Sequence, residues 1–355
     1  MGQYKKHYLV TGGAGFIGSH LVNALVKDKE ARITIIDNFD PFYPRQVKLI
    51  NTEGYEQHQS ILLIDRSIED LSSAELQMIL PQKVDVVIHL AARAGVRPSI
   101  SHPLAYQKTN VLGTQMLLDF AKDTGVKQFV FASSSSVYGV NKNLPWKETE
   151  QLQPISPYAM TKLSGEGAGH VFSHLHGIRF IALRFFTVFG PAQRPDLAIH
   201  KFVKSIVQDK PIPLYGDGST SRDYTYVDDI VSGILAAIEY DGSLFEIINL
   251  GNNYSVPLLE LIKNIEEVTG RKAVIDRQPE QAGDVPHTFA DISKAQRLLH
   301  YQPSTTLKAG LEKFYSWFLQ HREILQHYTV ISSVSSFSFW WIFLTLYVFF
   351  CWDSK

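Results

Sequence analysis

Short apolar runs alternate with segments of helical spacing along the first half of the chain. Residues 8–10, 33–36, 61–64, 84–90, 128–132 and 179–184 are mostly unbroken apolar stretches, the pattern of strands covered on both faces. Between them, segments 16–27, 71–80, 104–123 and 158–176 carry apolar residues at intervals of three and four, which predicts helices. Ser156 and Pro157 supply an N-cap and a first helical residue for the last of these, and Gly177 supplies a stop. Strands alternating with helices require right-handed crossovers, so the expected fold is α/β with a doubly wound parallel sheet.

Past residue 188 the pattern loosens into loops rich in proline and glycine. Helices are expected there at 199–208, 227–239, 258–269, 293–300 and 307–321, with a short segment at 212–215. The run 247–250 is expected to return to the first sheet. The chain then divides into residues 1–187 with returning segments near 225–252, a smaller interleaved substrate domain over 188–327, and a tail over 328–355.

Composition narrows the class. With 355 residues, 45% hydrophobic and 19% charged, the chain reads as a globular enzyme and not as a disordered or fibrous protein. Its 34 basic and 35 acidic residues leave a net charge of −1 with no long basic run, so nucleic acid is not an expected partner. Cys351 is the only cysteine, which excludes a disulfide framework and suits a reducing compartment. The first strand follows the start almost at once, leaving no room for a signal peptide, and the catalytic part is expected to be cytoplasmic.

Chemistry concentrates at the C-terminal ends of the strands. The stretch LVTGGAGFIGSH places Gly12, Gly15 and Gly18 between the first strand and the first helix. Gly12 permits a tight turn, Gly15 lets backbone approach a pyrophosphate, and Gly18 lets the helix pack closely, while the helix N-terminus presents free N–H groups and a positive dipole. The site suits an anionic dinucleotide. Asp37 ends the next strand about twenty residues on, where a carboxylate accepts from ribose hydroxyls and repels a 2′-phosphate, favouring NAD over NADP. Asp65, Ala91 and Ser134 fall at further strand ends.

Tyr158 and Lys162 stand four apart on one expected helix face. A phenol near pKa ~10 is a poor base at neutral pH, and a nearby ammonium and an oxidised nicotinamide would both favour its phenolate. Ser134 can hydrogen-bond the same substrate hydroxyl. His170 and His174 share a helix face, yet no glutamate completes an HExxH pattern and no ligand cluster is evident, so no metal is expected. Asp228 and Asp229 read as the solvated start of a helix.

With TGGAGFIGSH, HLAA, ASSSSVYG, SPYAMTK, RFFTVFGP, DGSTSRDYTYVDD and AGDVP in this order, the chain resembles the extended short-chain dehydrogenases/reductases, the sugar-nucleotide epimerases and dehydratases built on a Rossmann-type domain. Through HLAARAGVRPS and RFFTVFGPAQRPDLAIHKF it resembles, within that family, the nucleoside-diphosphate-glucuronate 4-epimerases. The resemblance implies NAD held by Gly12, Gly15, Phe16, Ile17, Gly18, Asp37, Asn38, Asp65, Leu90, Ala91, Ala92, Asn110, Tyr158, Lys162 and Phe185. It further implies a UDP-sugar touched by Thr187, Arg194, Tyr215, Arg222 and Asp284. The residue types fit: Arg222 suits a diphosphate, Asp284 can accept from a ribose hydroxyl, and Tyr215 can stack on a base.

The expected reaction is inversion at C4 of a UDP-hexuronic acid, UDP-glucuronate to UDP-galacturonate, through a 4-keto intermediate with NAD as transient hydride acceptor. Arg194, in the loop after Thr187, is expected to hold the sugar carboxylate through two parallel hydrogen bonds, with Thr187 and Ser135 or Ser136 adding neutral ones. The rival readings are a 4-epimerase of neutral UDP-sugars such as UDP-glucose or UDP-N-acetylglucosamine, a dehydratase or decarboxylase, and a non-catalytic NAD-binding protein. Dehydratases of the family carry Asp-Glu after the catalytic hydroxyl, where Ser135 and Ser136 stand here. A homodimer through the helices at 104–123 and 158–176 is also expected from the family. The uncharged, aromatic-rich stretch 330–352 lies outside the resemblance. It reads either as a C-terminal membrane anchor, the only route to a membrane, or as a foreign terminus.

Overall fold

The alternation of strand and helix builds one seven-stranded sheet in which every neighbouring pair is parallel. The computed structural model describes residues 4–80, 82–279 and 285–326. Its strands are β1 (Lys6–Thr11), β2 (Ala31–Asp37), β3 (Ile61–Asp65), β4 (Val86–His89), β5 (Gln128–Ser134), β6 (Arg179–Phe185), β7 (Thr187–Phe189), β8 (Ile212–Tyr215), β9 (Ser221–Tyr226), β10 (Phe245–Leu250), β11 (Ser255–Pro257) and β12 (Ile275–Gln278). The α-helices of the first half are α1 (Phe16–Leu25), α2 (Arg45–Asn51), α3 (Ser73–Ile79), α4 (Val96–Ser101), α5 (Pro103–Tyr106), α6 (Gly113–Thr124) and α7 (Pro157–His176). Those that follow are α8 (Ala198–Val207), α9 (Val227–Glu239), α10 (Leu258–Thr269), α11 (Ser293–Leu299), α12 (Leu307–Gln320) and α13 (Arg322–Gln326).

The strand order is β10-β6-β5-β4-β1-β2-β3. Because β1 lies between β2 and β4, the direction of winding reverses there and a crevice opens beyond the C-terminal ends of β1 and β4. The unbroken apolar runs have a simple cause. Val10, Ile35, Ile88, Val130 and Ile181 point into one buried cluster, while Leu9, Ile36, Val87, Phe129 and Phe180 point into the other. Burial on both faces removes the alternation that an exposed sheet would show. The chain past residue 188 forms the sheet β11-β9-β7 and the pair β12-β8, while β10 lies beside β6 with Phe245 opposite Phe180.

Several features differ from expectation. The helix expected over 104–123 is broken: α5 runs into a π-helical turn at Gln107–Leu112 before α6 begins. That turn carries Asn110, which is buried and hydrogen-bonded to two other elements, so the widened turn follows from an inward-aimed amide. The short strands β7, β9, β11 and β12 mix polar and apolar residues and have no readable period. Asp229 is buried, with its carboxylate accepting from Ser304 N at 3.2 Å and Thr305 N at 3.1 Å. The loop that crosses the start of α9 needs those acceptors, which is why the acid is not solvated. Asp228 does stay partly exposed, paired with His20 at 3.1 Å.

His170 sits edge-on to Phe245 and His176 packs against Phe172; among the described residues no group of side chains could hold a metal ion. No helix among the described residues is long and apolar enough to cross a membrane. The stretch 330–352 and Asp284 lie outside the described residues.

Candidate active site

The turn after β1 is built for close approach. Gly12 adopts φ 77°, and a Cβ there would stand 2.7 Å from the Ala91 nitrogen. A Cβ on Gly18 would meet the Gly12 carbonyl oxygen at 2.1 Å, and one on Gly15 the same oxygen at 3.1 Å. Gly15 is the N-cap of α1 with no side chain capping the helix and no acid in its first turn. Phe16 and Ile17 open that helix, whose N–H groups are left for a ligand. The cradle fits a pyrophosphate on geometry and dipole alike.

Asp37 closes this turn from the side. Its carboxylate accepts from Ala14 N at 3.1 Å and Phe39 N at 2.8 Å, so it fixes the glycine loop and keeps lone pairs for a ribose. Lys48, marked by no motif or spacing, stands 3.7 Å from the Asp37 carboxylate, and burial pulls its pKa down. Asn38 donates to Ser67. Asp65 is exposed and bridged by Arg45 at 2.7 Å, whose guanidinium lies over the Phe39 ring. Leu90, Ala91 and Ala92 leave β4 directly above the crevice, and Leu90 N donates to the Thr11 carbonyl. Asn110 clamps the next stretch, accepting from Arg93 N at 2.8 Å and donating to Arg93 O and to Thr161 on α7.

The helix α7 begins where Ser156 accepts from Ala159 N at 3.1 Å, and its stop at Gly177 is left-handed. Gly165 and Gly169 let it lie on the sheet: Cβ atoms there would fall 2.3 Å from Phe131 and 2.2 Å from Phe180. This contact carries Tyr158 and Lys162 to the end of β5. Burial pushes the Tyr158 phenol up, against a hydrogen bond with Ser134 and the charge of Arg194. Lys162 is 4% exposed and donates to the Ala132 carbonyl at 2.6 Å. Burial pulls its pKa down to about 7, with Glu166 opposing. The lysine is thus held on the strand, one turn of α7 from Tyr158, and the charge of Arg194 also opposes burial at the phenol. Ser134 caps the short helical turn that follows, bonded to the nitrogen and hydroxyl of Ser136; Ser135 is the residue between.

On the opposite wall, Phe185 ends β6 and Thr187 opens β7 opposite Tyr224 of β9. Arg194 is largely buried and forks onto Asp196, at 2.9 Å and 2.6 Å. Burial works against its charge, but Asp196, Tyr43 and Tyr158 keep its pKa above the ordinary value. Its guanidinium also lies 5.1 Å over Phe42 and reaches the Ala94 carbonyl. Tyr215 ends β8 with Arg97 over its ring at 5.3 Å. Arg222 donates to the carbonyls of Ser221 and Pro286. Its neighbour Asp223 is fully buried, accepting from Asn252 N and Ala290 N, and burial raises it to about 6.

A dinucleotide cradle at the switch point of a parallel sheet, with a serine, a tyrosine and a lysine gathered at the end of β5, defines the extended class of short-chain dehydrogenase/reductase. The family model described as GDP-mannose 4,6 dehydratase matches residues 9–314, and the chain belongs to that family of sugar-nucleotide epimerases and dehydratases. The UDP-glucuronic acid 4-epimerase of Bacillus cereus, solved in complex with UDP-glucuronic acid and NAD, is 39% identical with a TM-score of 0.83, over 88% of this chain and 99% of that one. The UDP-glucuronate 4-epimerase of Thermodesulfobacterium geofontis is 37% identical over 322 residues, 90% of this chain and 98% of the relative. The UDP-glucose 4-epimerase of Thermotoga maritima, solved with UDP-glucose, is 32% identical with a TM-score of 0.80, over 89% and 99%.

Proposed function

We propose that this protein inverts the C4 hydroxyl of UDP-glucuronate to give UDP-galacturonate. The observation that carries the uronic-acid reading is Arg194, a largely buried guanidinium whose charge acts on Tyr158. Gly12, Gly15, Phe16, Ile17 and Gly18 would hold the pyrophosphate of NAD, Asp37, Asn38 and Asp65 its adenosine half, and Leu90 to Ala92, Asn110, Lys162 and Phe185 the nicotinamide half. Bound NAD supplies reversible acceptance of hydride from the sugar C4.

The side chains of the chain manage the proton. Tyr158 takes it from the C4 hydroxyl as the ketone forms and returns it when the other face is reduced. Ser134, whose hydroxyl acts on the same phenol, would fix the substrate hydroxyl's direction. Arg222, Tyr215 and Asp284 would hold the UDP. Arg194, Thr187, Ser135 and Ser136 would hold the carboxylate, and Arg194 must share its fork with Asp196 to do so. With Ser135 and Ser136 where dehydratases have acids, no group stands there to shuttle a proton at C5. The nucleotide part over 1–187 and the substrate part over 188–327 would meet across this crevice. A homodimer is supported by an exposed apolar stripe, Met160, Val171 and Leu175 on α7 with Leu104 and Leu112 beside it.

Replacing Arg194 with alanine tests the sugar. The change should weaken UDP-glucuronate by about 1.5–3 kcal/mol, a lost charge-assisted contact, and weaken UDP-glucose far less. Equilibrium binding of each sugar decides it, because the charge lost at Tyr158 slows turnover of both alike. Equal loss for the two would put the neutral-sugar epimerase, the activity in the name of the Thermotoga relative, ahead.

A further inference from the structure

Beneath Lys162 lies a buried ion pair to which no role has been given. Glu166 follows Lys162 by four residues and Tyr158 by eight on α7, so the three share a face. Its Oε1 accepts from Ser133 Oγ at 2.5 Å and from Arg184 Nε at 2.9 Å, and its Oε2 accepts from Arg184 Nη2 at 2.8 Å. Three consecutive residues of β5 therefore each engage one residue of α7. Ala132 accepts from Lys162, Ser133 donates to Glu166, and the Ser134 hydroxyl lies close enough to lower the Tyr158 phenol.

We propose that Glu166 is a positioning residue for the Tyr158–Lys162 pair: through Ser133 it locks β5 to α7, and its carboxylate is the countercharge of the buried Lys162 ammonium. This rests on the reading of Tyr158 and Lys162 as the reacting pair. The groups around them leave that task to Glu166. His89 on β4 is neutral, since burial lowers it to about 3, and Tyr106 on α5 is neutral, pushed up to about 12. Arg184 on β6 and Arg194 beside Tyr158 are cations and add no negative charge. Glu166 is what opposes burial at Lys162. Without it, Arg184 and Lys162 would be two buried cations, and the lysine is the one that can shed its proton.

The test is Glu166→Gln, which keeps the shape and removes the charge, read by NMR of 13Cε-labelled lysine in the NAD-bound protein, with the Lys162 resonance assigned by its loss in Lys162→Met. The midpoint of the Lys162 titration should fall by about one pH unit or more, a tenfold change in ionisation. An unmoved midpoint overturns the countercharge. No sugar enters this measurement, so its outcome is independent of whether UDP-glucuronate proves to be the substrate. Ser133→Ala removes one hydroxyl, folds more safely, and isolates the tether. It should leave the Lys162 midpoint in place and lower kcat several-fold with KM unchanged, whereas an unchanged kcat overturns the lock.

Discussion

Replacing Tyr158 with phenylalanine should lower turnover of UDP-glucuronate by about 10² or more, the scale of general acid–base catalysis, while fold and NAD binding survive. The ring itself has a packing role, edge-on to Tyr106 at 6.3 Å between centroids, and phenylalanine keeps it. What disappears is the oxygen on which Ser134 and the charge of Arg194 act. Because burial raises the phenol's pKa, the wild-type protein holds the proton at neutral pH, and turnover that needs the phenolate should climb with pH on its acidic side. The phenylalanine variant should lose that limb along with the rate. Chromatographic separation of the product sugars across a pH series measures both, and near-normal turnover would remove Tyr158 from the chemistry.

Replacing Arg184 with methionine should cost about 3–5 kcal/mol of stability, because it removes the two charge-assisted bonds to a buried carboxylate and leaves it the bond from Ser133. The pair is 1% and 3% exposed and bonded by two parallel contacts, so water cannot replace the lost partner. The double variant Glu166→Met with Arg184→Met should regain much of the loss, since two apolar side chains remove the stranded charge. Denaturation in urea, followed by far-UV circular dichroism, compares the three proteins. A loss below about 1 kcal/mol for the single variant, the range of an exposed pair, would mean that Glu166 finds another partner or a proton.

Much of the scaffold was legible because both-face burial and helical spacing leave clear marks. Val10, Ile35, Ile88 and Val130 mark their strands by apolar run alone, and Ser156 with Gly177 bounds α7 by cap chemistry. The broken helix around Asn110 was not legible, since its cause is a tertiary contact with Arg93 and Thr161 that no local period reports. The same reason hid Asp229, whose burial depends on residues 304–305, about seventy-five positions away.

The site divides in the same way. The glycine turn, Asp37 and the Tyr158–Lys162 spacing are local signals, and the structure brings them to one crevice. Lys48 and Arg184 matter through burial and through partners on other elements, which no spacing reports, and Asp196 through the fork it receives from Arg194, two residues before it. Glu166 did carry a mark, four residues past Lys162 on the same face. Composition could not reveal that Lys162 donates to Ala132, or that the charge of Arg194 acts on Tyr158.

The central claim is that C4 is oxidised and reduced within one turnover, with no atom of that carbon's hydrogen given to water. Incubating the protein with UDP-glucuronate deuterated at C4, then separating the products and reading deuterium by mass spectrometry and NMR, tests it directly. UDP-galacturonate carrying the deuterium at C4 is the predicted result. Loss of the label to solvent, or a product unchanged at C4, would contradict the account.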